Sequence, residues 1–311
     1  MSAGIMEHMR ALKTIIQKPV IWLLFMILII SSCSQPIEIP PAVEEPSITT
    51  EPTQTLTPEE PTAIPQPAAA LVNGEVISLS WFEREVERYV FAQAAMENVD
   101  IDENAAREIV LNDLIDQFLL AQAAREAGLV ISDEDVRERL DALAEEVDLE
   151  AWMTAWGYTV EELQESLRLQ MLVAYQRDEI AESVPDIVEQ VELRQVFAFT
   201  EAGANRALLN LYSGADFDAL AYEFSPDTGG YLGWVPRGYL LFPAVEEAAF
   251  NQPVGTYTEI IESEIGFHIV LVINREERAL TADARLTLAR QALTAWLEDQ
   301  RAASTIEVLV D

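Results

Sequence analysis

The sequence predicts an α+β protein, and three observations carry this prediction. Apolar residues recur at helical spacing through much of the stretch from residue 80 to 184. Glycines are then concentrated between residues 229 and 266, where they interrupt any helical pattern. A helical pattern over 282–302 is followed by a short apolar stretch at 306–310 that alternates weakly, which indicates a last helix and a last strand.

The N-terminus has the features of an export signal. Three basic residues, Arg10, Lys13 and Lys18, precede an apolar run at Val20–Ile30. This run of 11 residues is too short to cross a membrane, since a spanning helix needs about 20 residues. The order of a basic region, a short apolar run and small residues is typical of a signal peptide.

The end of this signal resembles a bacterial lipobox. The sequence there is Ile-Ser-Ser-Cys, ending at Cys33. In a lipobox the cysteine becomes the lipidated first residue of the mature protein. The resemblance implies a lipoprotein signal peptide at 1–32 and a lipid on Cys33, which would anchor the chain to the bacterial cell membrane. The alternative is an ordinary signal peptide followed by a chance cysteine.

Residues 33–68 are predicted to be a disordered linker. Prolines alternate with Thr and Glu in this segment, a composition too polar and too rich in proline to form a packed core. Such a chain is semi-extended. We therefore expect it to act as a tether that holds the folded part of the protein away from the membrane.

The composition excludes several classes of function. The formal net charge is −35, so the chain is expected to repel nucleic acid. Cys33 is the only cysteine, which rules out an internal disulfide. His268 is the only histidine after the predicted signal peptide. The mature chain therefore has no His/Cys metal cluster and no His-based nucleophile set, and we expect neither a metal nor a cofactor.

Turn and capping residues divide the first half of the folded region into separate elements. An apolar run with an Asn73-Gly74 turn begins it. The helices that follow are predicted from their start and stop residues. They are 80–96, opened by a capping box of Ser80 and Glu83; 104–127, stopped by Gly128; a helix opened by Ser132 and Asp135; 150–156, stopped by Gly157; and a long helix opened by Thr159 and Glu162 that ends before Pro185.

The glycine-rich segment resembles the parvulin family of peptidyl-prolyl isomerases over roughly residues 191 to 276. The residues that carry the resemblance are Leu193 to Val196, Ser225-Pro226-Asp227, Gly229 to Trp234, Arg237-Gly238, Glu246 to Phe250, Pro253-Val254-Gly255 and Gly266 to Val270. The resemblance implies a four-stranded antiparallel sheet with surrounding helices, and isomerisation of X-Pro peptide bonds.

The helical block before it resembles the N-terminal chaperone domain of SurA/PrsA-type foldases. The matching pieces are Val72 to Ile77, Leu114-Ile115, Ala123 to Ile131 and Gly157-Tyr158-Thr159. In such foldases the last helix and strand return to the chaperone domain. The implied division is a helical chaperone domain at 69–190, a parvulin-like domain inserted at 191–278, and a returning helix and strand at 279–311.

The resemblance also implies a catalytic site. His268 matches the second of two family histidines, and Asp227 matches a family Asp or Cys. Gln195 stands where the family has its first histidine. Glutamine both donates and accepts hydrogen bonds, so it could orient the His268 ring, but it cannot titrate or change tautomer.

The pocket for the client's proline is altered as well. Leu240 or Leu241 falls near a family methionine, and Val245 replaces a phenylalanine, which removes apolar area that would hold the prolyl ring. Phe250 is a fourth candidate for client binding, although a core position in its helix is the favoured interpretation.

Two functions from different classes remain open. The first is a foldase that isomerises X-Pro bonds in unfolded or partly folded exported polypeptides, tethered by its N-terminal lipid outside the cytoplasm. The alternative is a holdase chaperone without turnover that retains a degenerate parvulin domain. The replacements Gln195 and Val245 are the features that separate the two hypotheses.

Overall fold

The structure is a computed structural model that describes residues 67–96 and 102–310. The predicted signal peptide, Cys33 and nearly all of the predicted linker lie outside these residues. The helices are α1 Leu79–Ala95, α2 Glu103–Glu126, α3 Asp133–Glu146, α4 Leu149–Trp156, α5 Val160–Glu182, α6 Glu201–Tyr212, α7 Phe217–Phe224, α8 Pro243–Asn251 and α9 Ala282–Ala303. The strands are β1 Ala68–Val72, β2 Glu75–Ser78, β3 Ile187–Ala198, β4 Tyr231–Pro236, β5 Ile261–Ser263, β6 Gly266–Ala279 and β7 Ile306–Val308. The predicted α+β class is confirmed.

Two compact units divide the chain, one containing residues up to 176 together with 301–311, the other residues 177–300. In the first unit, β1 and β2 form a hairpin around the predicted Asn73-Gly74 turn, and β7 pairs antiparallel with β1. Asn73 adopts a positive φ of 51°. Its side-chain oxygen accepts a hydrogen bond from Thr305 N at 2.9 Å, which attaches the turn to the C-terminal segment.

The helix boundaries confirm most of the predicted capping residues. Ser132 and Asp135 form a reciprocal capping box at α3, and Thr159 and Glu162 do the same at α5. Gly157 ends α4 in the left-handed conformation.

The predicted start of α1 is wrong. The N-cap is Ser78, whose hydroxyl accepts a hydrogen bond from Trp81 N, and Ser80 lies inside the helix. The hairpin ends at Ser78, so the chain enters the helix two residues earlier than the Ser80–Glu83 spacing suggested.

In the second unit, one antiparallel sheet has the strand order β4-β3-β6-β5. The two central strands, β3 and β6, are paired along their whole lengths, from Ile187↔Ala279 to Ala198↔Phe267. The predicted four-stranded antiparallel sheet is therefore confirmed. Along each of these strands, side chains two residues apart lie on the same face of the sheet.

Each face of this sheet is covered by helices. On the first face, Val191, Leu193, Val270 and Val272 pack with residues of α8. On the second face, Val196 and Ile269 pack with residues of α6 and α7. Because side chains alternate along a strand, Gln195, Phe197 and His268 belong to the first face, beside the α8 cluster.

The compact units divide the chain differently from the predicted boundaries. We predicted that the whole stretch 279–311 groups with the helical block, whereas α9 groups with the second unit up to residue 300. The reason is a set of contacts at the start of α9. Tyr239 donates a hydrogen bond to Asp283 at 2.6 Å, Arg285 pairs with Asp186, and Gln291 bonds to the Gly238 carbonyl.

Candidate active site

His268 lies on β6 in the middle of the second unit's sheet. It is directly paired with Phe197 on β3 and with Ile261 on β5. Its side chain is buried, with 3% of the residue's surface exposed. A buried imidazole needs hydrogen-bond partners for both ring nitrogens, so its neighbours determine what it can do.

Both ring nitrogens of His268 have such partners. Nδ1 lies 3.0 Å from Gln195 Oε1, and Nε2 lies 2.8 Å from the hydroxyl oxygen of Ser263. Both partners are uncharged groups that can pair with a neutral ring, and the Ser263 hydroxyl also lies 3.2 Å from Gly266 O. Gln195 and Ser263 therefore fix the orientation of the ring.

Burial lowers the pKa of His268 from its ordinary value of 6.5. Removing a cation from water is unfavourable, so the neutral form gains. Both partners are uncharged and offer no carboxylate that would reverse the shift. The ring is therefore neutral at neutral pH and acts through its hydrogen bonds and its apolar faces.

Aromatic rings surround the imidazole. The Phe197 ring centroid lies 5.0 Å from that of His268, and the Phe242 centroid lies 5.6 Å from it. Both pairs are tilted, a favourable geometry for aromatic contacts. The imidazole thus lies among apolar surfaces that suit a proline ring.

Glu246 holds the loop that brings Phe242 to the site. Its two carboxylate oxygens each accept a hydrogen bond from Gly238 N at 2.9 Å, and one also accepts from Leu240 N at 3.1 Å. Charge-assisted bonds of this kind are about twice as strong as neutral ones. The loop before α8 is therefore fixed by a side chain from the first turn of that helix.

Gly230 allows a second close approach, between the turn at 225–229 and β3. Gln195 N donates to Gly230 O at 2.8 Å. Gly230 has a φ of +66°, and a Cβ on it would lie 1.9 Å from the carbonyl oxygen of Gln195. Only glycine fits there without displacing the backbone of the residue that orients His268.

Of the three predicted catalytic residues, the structure brings Gln195 and His268 together. Asp227 lies on the exposed turn at 225–229. Within the described residues, no hydrogen bond or ion pair joins Asp227 to His268. Its predicted role beside the imidazole stays a prediction.

The four residues predicted to bind the client differ in their exposure. Val245 and Phe250 are each 3% exposed and belong to the core between α8 and the sheet. Leu240 is half-buried against the same core, whereas Leu241 is 83% exposed. In this conformation only Leu241 presents most of its surface to a client, and the client-binding roles of all four remain predictions.

Sequence reasoning missed three residues that contact His268, namely Ser263, Phe242 and Phe197. The sequence held no turn signal for Ser263. In the structure a two-residue turn at Glu264-Ile265, which lacks the Gly or Asn typical of such turns, pairs Ser263 with Gly266 and brings its hydroxyl to the imidazole. Phe197 follows Gln195 by two residues, the strand period that puts both on one face.

The described residues contain neither a metal-binding cluster nor a membrane-spanning helix. In residues 67–96 and 102–310, no group of three His, Cys, Asp or Glu side chains is placed to hold a metal ion. Over the same ranges, no helix has both the length and the apolar character to span a bilayer.

The fold and the site together define a class. The four-stranded antiparallel sheet, with Gln195 and His268 together on it, is the arrangement expected from the parvulin resemblance. Sequence comparison agrees: residues 188–274 match the PPIC-type PPIase domain family, and residues 61–151 match the SurA-like N-terminal domain family. The chain thus carries one segment similar to parvulin-type domains and one similar to SurA-like N-terminal domains.

The chain is also similar to individual foldases and chaperones. The chain is 28% identical over 247 residues to the foldase protein PrsA of Halalkalibacterium halodurans. The aligned region covers 69% of this chain and 73% of that protein. It is 28% identical over 134 residues to the chaperone SurA of Alcanivorax borkumensis, covering 39% of this chain and 29% of that protein. A crystal structure of the peptidyl-prolyl isomerase PrsA from Bacillus cereus aligns over 74% of this chain and 85% of its own, with 19% identity and a TM-score of 0.44.

Proposed function

We propose that this protein is an extracytoplasmic foldase whose second unit isomerises X-Pro bonds in exported polypeptides. The observation that carries the proposal is the fixed, neutral imidazole of His268 beside the rings of Phe197 and Phe242. The similarity to PrsA and SurA supports exported, unfolded polypeptides as the clients. The first unit, with its SurA-like segment, would bind those clients.

The chemistry needs no covalent intermediate. Rotation about an X-Pro bond costs about 18–20 kcal/mol because the amide loses its resonance in the twisted state. The twisted amide is less polar than the planar one, so an apolar site from which water is excluded favours it. Phe197 and Phe242 supply such a surface, and the imidazole offers a rigid wall between them.

Gln195 orients the His268 ring, as a histidine at this position would. It keeps one partner on Nδ1 of His268 at 3.0 Å, so the hydrogen-bonded arrangement is complete without a second imidazole. Because glutamine does not titrate, this part of the site keeps the same charge across the physiological pH range.

The test is the isomerisation rate of X-Pro peptides with the full chain. Replacing His268 by Ala should lower kcat/KM about tenfold to hundredfold, as loss of a preorganised group in a dry site does. Gln195→Ala should lower it about tenfold, since one oriented hydrogen bond is lost. Gln195→His should keep or raise the rate. The matched control is Glu277→Ala, an exposed position on the same strand β6.

The same assay separates the enzyme from the holdase. If wild-type protein only matches the uncatalysed rate while still preventing aggregation of an unfolded client, the holdase hypothesis is correct. The replacement of a family histidine by Gln195 is the observation that keeps that hypothesis open. If activity is present but unaffected by His268→Ala, the isomerase remains and the site assignment is wrong.

We also propose that Cys33 carries the lipid that anchors the protein outside the cytoplasm. The Ile-Ser-Ser-Cys sequence after the apolar run supports this. Mass spectrometry of the membrane-extracted protein should find an acylated N-terminal cysteine at position 33. Cys33→Ala should release the protein from the membrane fraction. An unmodified Cys33 in the mature protein would contradict the proposal.

A further inference from the structure

Phe199 is the most exposed aromatic side chain near the candidate active site. It is 83% exposed, directly after the end of β3. Its ring nevertheless has a defined partner: it stands edge-on to the Phe197 ring, with centroids 4.9 Å apart and planes at 80°. Phe197 in turn contacts His268 at 5.0 Å. An apolar surface therefore runs outward from the imidazole through Phe197 to Phe199.

The strand register fixes where this surface lies relative to the rest of the site. Along β3, Val191 and Leu193 are in the α8 core, Gln195 contacts the imidazole, and Phe197 is paired with His268. Phe199 continues the same alternation beyond the imidazole. Phe242 packs against the α8 core, and its ring centroid lies 5.6 Å from that of His268. His268 thus contacts both Phe242 and the Phe197–Phe199 surface.

The charges around the surface are acidic. Glu201 follows Phe199 by two residues, and Glu264 lies on the turn that joins β5 to β6. Arginines stack on Phe224 and Phe250 elsewhere in the unit. Within the described residues, no arginine or lysine is found over Phe197 or Phe199. An acidic or phosphorylated client residue would be repelled here, whereas an apolar one would be accepted.

We propose that Phe199 selects clients with a large apolar residue immediately before the proline. The inference rests on the proposed function, in which the X-Pro amide lies beside His268. With the prolyl ring against Phe242, the residue on the other side of the amide points toward Phe197 and Phe199. A Leu or Phe side chain at that position covers exposed aromatic surface, and an Ala side chain is too short to do so.

The test is a peptide series, Ala-X-Pro-Phe with X as Phe, Leu, Ala, Glu or Arg, measured with the full chain. Binding is followed by fluorescence or NMR and isomerisation by the rate of cis-trans exchange. Wild-type protein should prefer X = Leu over X = Ala by about fivefold, the scale of a few partly buried methylene groups, and should disfavour X = Glu. Phe199→Ala should bring the ratio of the values for X = Leu and X = Ala close to one.

Leu209→Ala is the matched control, because this side chain is 64% exposed on α6. It should leave the preference intact. A wild-type protein that does not distinguish X = Leu from X = Ala in binding overturns the inference, as does a preference that survives Phe199→Ala. Binding that discriminates without any rate enhancement would support the role of Phe199 and refute the isomerase instead. Absence of binding to every peptide would refute both.

Discussion

Arg88 in the first unit and His268 in the second are both buried ionisable side chains with different surroundings. Arg88 is 9% exposed, and each of its three guanidinium nitrogens makes a hydrogen bond. It donates to the carbonyl oxygens of Trp156 and Gly157 at 3.1 and 3.0 Å, pairs with Glu85 at 2.6 Å, and lies 3.5 Å from the Tyr158 ring centroid. Burial, with Glu85 next in effect, raises the pKa of Tyr158 to about 12. Every contact holds the end of α4 in place.

His268 is even less exposed, at 3%, but its surroundings are uncharged. Its hydrogen-bond partners, Gln195 and Ser263, are neutral, and its aromatic neighbour Phe197 leads to the exposed ring of Phe199. The comparison teaches how to separate structural from functional buried polar groups. A buried charge that is bonded to a carboxylate and to backbone carbonyl groups serves the fold. A buried neutral ring next to exposed apolar surface can instead support a ligand that binds on that surface.

The largest expected effect comes from Gly230→Ala, which acts on the partner of His268. The new Cβ would lie 1.9 Å from the Gln195 carbonyl oxygen, at a φ of +66°. We expect a loss of about 3–5 kcal/mol in the free energy of unfolding, since overlap with backbone adds to the cost of a left-handed residue. Chemical denaturation measures it.

Gly255→Ala is the control for this change, because its φ is +80° and no atom lies within 4 Å of the added Cβ. It should cost only about 1 kcal/mol. Equal losses in the two variants would show that the turn moves freely away from Gln195.

Replacing Arg88 by Met should be the next largest effect, about 3 kcal/mol of stability, because two carbonyl groups and Glu85 lose their donor in a buried place. Arg137→Met is the matched control, since that arginine is 59% exposed in a pair with Glu134 on the same helix. It should change stability by less than about 0.5 kcal/mol. The comparison between Arg88 and His268 fails if Arg88→Met abolishes isomerase activity while the protein remains folded.

Glu246→Gln should have a smaller effect, and on the site rather than on the fold. The carboxylate fixes Gly238 N and Leu240 N, and thereby the loop carrying Phe242. We expect KM for X-Pro peptides to rise about fivefold to tenfold, because a neutral amide makes weaker bonds than a carboxylate. Glu247→Gln, at a 67% exposed side chain, is the control. A fall in kcat with unchanged KM would contradict a positioning role.

The sequence predicted the parts of the fold that local chemistry determines. The capping pairs Ser132–Asp135 and Thr159–Glu162 begin helices because the bonds they make are within three residues. The resemblance placed Gln195 and His268 on one face of one sheet. It did not show Ser263 or Phe242 at the imidazole, because those contacts depend on a hairpin register and on a loop conformation held by Glu246.

The burial of Val245 was equally hard to foresee, whereas a core position was the favoured interpretation of Phe250. Both lie on the helix that closes the α8 core, and helical spacing alone does not distinguish a residue facing a client from one facing the sheet. The start of α1 at Ser78 shows a related limit. Two serines with suitable neighbours were available, and the end of the β1–β2 hairpin decided between them.

The smallest effect is the pH dependence of His268. Its pKa in the folded protein lies below 6.5 because of burial, whereas the unfolded chain titrates near the ordinary value of about 6.5. As the pH falls through that value, the unfolded state takes up its proton first, so stability is lost. Above it both states are neutral and the full stability is present. Glutamine does not titrate, so the stability of the His268→Gln variant should lack this part of the pH dependence.

An NMR titration of the imidazole, assigned by comparison with His268→Gln, measures the pKa directly. The midpoint should lie below 6.5, and isomerase activity should persist at least to that pH. A midpoint above 6.5 would mean that an anionic group faces the ring. The exposed Asp227 would then have to approach His268 in solution, as the sequence predicted. The imidazole would in that case have a carboxylate partner, as Arg88 does.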